Sequence, residues 1–181
     1  MRSRMKHFGI NTVIFLMVSC RISAQSTGNR TVAVTLPVVT LMDVEPSGPI
    51  TLSYSAPADA GRPVALPSVN MTKWVNYTSA IALGGISRRI TASVNQVIPG
   101  VDIKIQASGA SGSGGGILGI PSAQITLTTA AQIIISGIGG AFTGNGANNG
   151  HQLSISLTTN TYANLSARTN TPVIITYTIT E

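Results

Sequence analysis

Three observations predict an all-β chain folded as a single antiparallel β-sandwich of about eight or nine strands. Apolar and polar residues alternate with period two through residues 88–95, 101–107, 151–159 and 172–180, which puts one dry face on each pleated segment. Turn-forming clusters such as Pro99-Gly100 and Asn145-Gly146 separate these segments, and beyond position 24 no apolar run keeps the 3.6-residue period of a helix. A two-stranded ribbon is marginal alone, so several half-dry ribbons imply a second layer.

Residues 1–24 read as a signal peptide: Arg2, Arg4 and Lys6 precede a short apolar run, and Ala24 is a small residue at a cleavage position. That run is too short to span a bilayer comfortably. The sequence Met17-Val18-Ser19-Cys20 is also a weak lipobox, which would leave a lipid on Cys20. Export predicts a domain over residues 25–181. Loss of residues 1–24 removes four of the eleven Lys and Arg and none of the five acids, so the net charge falls from +6 to +2. The remaining cations are scattered apart from Arg88-Arg89, which argues against nucleic acid as a partner. Cys20 is the only cysteine, so the exported domain must be held by burial, and about 157 residues suffice for one core.

Residues 31–42 carry Val32, Val34 and Leu36 on one face before Pro37 interrupts the ladder, the mark of an edge strand or a switch between sheets. Residues 43–49 form a turn, and Ile50, Leu52 and Tyr54 suggest the next strand. Residues 55–70 read as a long crossing connection. Residues 73–81 place Val75, Tyr77 and Ile81 on one face and Trp74, Asn76 and Thr78 on the other. Two readings of Trp74 stay open: a core residue reached through a bulge, or an exposed aromatic that stacks on a sugar or a partner.

Residues 88–108 read as a hairpin about Pro99-Gly100. Residues 108–119 follow as a flexible Gly/Ser loop. Gly114, Gly116 and Gly119 satisfy G-x-G-x-x-G, but Pro121 and QITLTT stand where a phosphate-binding helix should begin, which excludes a dinucleotide site. Residues 124–128 and 130–135 read as strands, and residues 137–150 as a loop tip. Residues 151–159 and 172–180 close the sandwich. Only six aromatics lie beyond position 25, too few for the two girdles of an outer-membrane barrel.

The chain offers little for catalysis. His151 is the one histidine of the exported part, no G-x-S-x-G occurs, and His151 among small polar residues reads as solvated. Asp43 and Glu45 are the only acids close in sequence, so no metal site is predicted. Asp59 and Asp102 show no sign of a shared pocket. A non-enzyme without cofactor or metal is expected. The four Asn-X-Ser/Thr sequons at Asn29, Asn70, Asn76 and Asn164 carry no weight without a host pathway.

Taken together, the segments VTLPVVTLMDVEPSG at 34–48, KWVNYTSAI at 73–81, RRITASVN at 88–95, PGVDIKIQAS at 99–108, IISGIGGAFTGNG at 134–146 and the terminal PVIITYTIT resemble small exported Bacteroidetes β-sandwich proteins of the spore coat protein U and pilin-like group. The resemblance implies an immunoglobulin- or pilin-like fold and a secreted or cell-surface structural subunit. It lacks the cysteine pairs of the coat and pilin examples. A strand missing from the sandwich could be supplied by a neighbour, and Val32, Val34, Leu36, Val39 and Leu41 form the candidate donor segment. Pairing of that segment within its own domain is the competing reading. The alternative function is an extracellular binding module whose loops and Trp74 contact a glycan or protein.

Overall fold

The computed structural model describes residues 27–181. The expected signal peptide and the lipid attachment at Cys20 lie outside the described residues. The chain divides after Thr35. Residues 27–35, described by themselves, are exposed and contain no strand.

Residues 36–181 contain nine strands: β1 Val39–Glu45, β2 Asn70–Ala80, β3 Arg88–Val94, β4 Val101–Ala107, β5 Gly115–Pro121, β6 Ile125–Thr126, β7 Gln132–Phe142, β8 His151–Thr159 and β9 Ile175–Thr180. Every pairing is antiparallel. Hydrogen bonding links all nine into one sheet, but two strands fork it. β1 lies along one side of β2, while the other side is taken first by β8 (residues 70–75) and then by β7 at Thr78 and Ser79. In the same way β7 holds β5 on one side and, on the other, β3 followed by β2. The fork yields two layers, β1-β2-β8-β4-β6 and β5-β7-β3-β9, which share a ladder where the ends of β2 and β7 meet and are linked again just past β6, where Leu127 N donates to the Ile103 carbonyl and the Thr128 carbonyl accepts from Val94 N.

The core lies between these layers. Val75 and Tyr77 of β2, Ile90, Ala92 and Val94 of β3, Ile103 and Ile105 of β4, Ile134, Ile135 and Ile138 of β7 and Leu153 and Ile155 of β8 form one buried cluster. Ile90, Ile105, Ile134, Ile135, Ile138 and Leu153 are fully enclosed. Each such side chain contributes roughly 1.5–3 kcal/mol relative to exposure. This burial is what holds a sandwich without disulfides.

Several local expectations are corrected. Residues 88–108 do not form a hairpin: β3 pairs with β7 and β9, whereas β4 pairs with β8 and β6. The dry faces do match, but as an arch that carries the chain from one layer to the other about Gly100 (φ 83°). The first strand begins at Val39, not near Thr31. Residues 50–54 join no ladder, and only Ser55 bridges to Ala65. The glycine segment 115–121 is strand β5, and β7 runs through residues 137–142, where a loop tip was expected. Gly116 explains both: at φ 89° a Cβ there would sit 2.2 Å from the Gly140 carbonyl oxygen, so two glycine-rich backbones approach more closely than side chains would allow.

Candidate functional site

The structure divides the candidate donor segment in two. Val39 and Leu41 belong to β1 and pair with Ala80 and Thr78 of β2. Upstream, residues 27–38 contain no strand, and Val32, Val34 and Leu36 are 80, 85 and 80 % exposed. Val38, also exposed, continues their spacing past Pro37. Thr31, Ala33 and Thr35 alternate with them. This arm is uncharged apart from Arg30 at its start.

Arg88 anchors the root of the arm. Its guanidinium is buried, with Nη1 donating to the Val39 carbonyl (2.7 Å) and to Ser79 Oγ (2.9 Å). Ser79 in turn donates to the Gly139 carbonyl (2.7 Å). On its other side Arg88 Nη2 lies 3.5 Å from Glu181 Oε1. One cation therefore ties together the first residue of β1, the last turn of β2 and the residue after β9. The sequence reading singles out Arg88 only as half of the Arg88-Arg89 pair and misses this role; its position at the first residue of an alternating strand is the available signal.

The core is least covered along the side between β1 and β9. Of the eleven half-buried apolar residues packed on it, eight fall there or in the adjoining chain: Met42, Val44, Ile50, Leu52, Val173, Ile175, Tyr177 and Ile179. Burial pushes the Tyr177 phenol above the usual tyrosine range. The far edge of β9 carries no strand among the described residues.

Trp74 is half-buried and lies on the outer face of β2, with Asn76 and Thr78, opposite Glu45 of β1 and Gln152 of β8. It is not a core residue. A shallow depression nearby is lined by Leu41, Asp43, Asn76, Thr78, Phe142 and Asn145. Asn76 is buried there because the loop after β7 folds over it, its Nδ2 donating to the Asn149 carbonyl (2.7 Å), and its Oδ1 has no partner.

His151, expected to be solvated, is fully buried. Its Nδ1 donates to the Ser108 carbonyl (2.8 Å), and the Tyr77 hydroxyl lies 3.0 Å from Nε2 and donates to the Leu118 carbonyl. The ring stacks on Tyr77 with centroids 5.8 Å apart. Its period-two position on β8, in phase with Leu153 and Ile155, was the sequence signal that it faces inward. No serine, threonine or cysteine side chain is among the hydrogen-bond partners of this histidine. Among the described residues no group of three His, Cys, Asp or Glu could hold a metal ion, and no helix is long and apolar enough to cross a membrane.

Comparison with known protein families, with curated proteins and with solved structures returns no match. The class that the fold defines is an all-β, sandwich-like protein.

Proposed function

We propose that this chain is a non-catalytic structural subunit, secreted or displayed at a bacterial cell surface, that assembles by exchanging an edge strand with neighbouring copies. The observation that carries the reading is the arm. Three apolar residues at strand spacing, exposed and outside any ladder, lie directly before a sandwich that has free edges. An alternating segment of this kind gains main-chain hydrogen bonds from a sheet edge and buries its apolar side chains in the same step. Val32, Val34 and Leu36 would each contribute roughly 1.5–3 kcal/mol on burial, against which the entropy of association is set. The expected result is a ladder of oligomers on denaturing gels run without boiling, collapsing to monomer when residues 31–36 are deleted. A monomer both with and without the arm would exclude assembly by this route.

A second reading rests on Trp74 and the Asp43–Asn76–Phe142 depression, both on the outer face. An aromatic beside carboxylates and amides suits a sugar ring. Trp74 is the only tryptophan, so titration of its fluorescence against a glycan panel reads this face alone, and an unchanged spectrum would remove the binding-module reading.

A further inference from the structure

Resting on the arm-exchange reading, we infer that the acceptor is the free edge of β9 of a second copy, entered antiparallel and in one register. Each of the other edges is guarded. β1 carries Asp43 and Glu45 and has its first carbonyl taken by Arg88. β5 is bent by Gly116 and Gly119 at positive φ and ends on Pro121. β6 is two residues long. Charges, glycines, prolines and shortness are the ordinary means of blunting an edge. β9 has none of them: residues 175–180 read Ile-Thr-Tyr-Thr-Ile-Thr, with the isoleucines and Tyr177 turned toward the incompletely covered side of the core and the threonines exposed.

Charge sets the direction. Arg30 is the only charged residue between positions 26 and 42, and Glu181 is the only one after Arg168. An antiparallel arm that places Arg30 beside Glu181 also places Thr31 opposite Thr180, Val32 opposite Ile179, Val34 opposite Tyr177 and Leu36 opposite Ile175. Val32, Val34 and Leu36 then face the core side, Thr31, Ala33 and Thr35 face out, and Thr31 and Thr35 meet Thr180 and Thr176 across the ladder. Pro37, which cannot donate to a ladder, falls just past the beginning of β9, where no donor is needed.

The same register requires a second copy. Within one chain Val39 and Glu181 are held at the same end of β9 by Arg88, and three residues from Val39 back to Leu36 span at most about 11 Å. Ile175 lies at the other end of β9, about 17 Å away along the strand. A chain cannot lay its own Leu36 beside its own Ile175.

Cysteine pairing tests this, in a Cys20→Ser background that removes the only native thiol. Thr31→Cys and Thr180→Cys variants, mixed and oxidised, should give a disulfide-linked heterodimer, since the assigned register brings these positions face to face. Thr35→Cys mixed with Thr180→Cys should give none. Preferential linkage of the second pair would mean parallel entry, and linkage of neither, with arm-dependent oligomers still present, would mean another edge accepts the arm; either overturns the assignment while leaving arm exchange standing. Absence of arm-dependent oligomers in the Cys20→Ser protein would instead overturn arm exchange and the assignment with it. All three threonines are exposed, so the variants do not disturb the core.

Discussion

His151 ties separate segments together: its ring stacks on Tyr77 of β2, its Nδ1 donates to the Ser108 carbonyl just after β4, and the Tyr77 hydroxyl carries the link on to Leu118 of β5. His151→Ala leaves a cavity where a fully buried ring stood and removes the donor to the Ser108 carbonyl, so a loss of about 3 kcal/mol is expected, read as a fall in the denaturation midpoint at unchanged slope. The tyrosines make a separate prediction. Burial raises both Tyr77 and Tyr177 above the ordinary value, so the fold favours their neutral form. That stabilisation is complete below the unfolded-state pKa of about 10 and is lost as pH rises beyond it. Absorbance titration should therefore show these two phenols ionising together with alkaline unfolding, while a titration in which all four tyrosines ionise near 10 in the folded protein would contradict it. Arg88→Met should cost about 2–4 kcal/mol, because the Val39 carbonyl and Ser79 Oγ lose a charged donor, measurable by the same denaturation.

At the scale of elements, the glycines of β5 and β7 are the parts most exposed to test. Gly116→Ala combines a positive φ with a Cβ 2.2 Å from the Gly140 carbonyl oxygen, and a loss of at least about 3 kcal/mol is expected. Gly137→Ala shares the positive φ (71°) but meets nothing within 4 Å, so only the left-handed backbone cost of about 1–2 kcal/mol applies. Equal effects in the two variants would show that close approach of the two strands is not what Gly116 provides. These glycines also mark where element reading fails. Alternation located β3, β4, β8 and β9 to within a few residues, because each has large apolar residues on one face. Strand β5 and the second half of β7 have few side chains to alternate, so composition alone suggested a loop. Pairing supplies what their side chains lack: five of the seven residues of β5 pair with β7.

At the scale of the whole molecule, the candidate site was partly legible. Val32, Val34 and Leu36 stood out by spacing, and the structure leaves them exposed; Val39 and Leu41, one phase further on after Pro37, went into β1 instead. Deleting residues 31–36 should leave the unfolding midpoint of the monomeric domain within about 0.5 kcal/mol of the intact chain, since those residues join no strand of the described fold; a larger loss in denaturation of the dilute monomer would mean that the arm stabilises its own domain. Period and turn residues followed from residue order, because alternation and backbone preference are local. Which ribbon pairs with which did not. Residues 88–108 satisfy a hairpin and an arch equally well until β7, β8 and β9 compete for the same hydrogen-bonding edges, and an edge is open only once every other strand has taken its place. The free side of β9, the clamp at Arg88 and the burial of His151 all belong to that second kind of fact, set by long-range pairing and not by any neighbour in the chain.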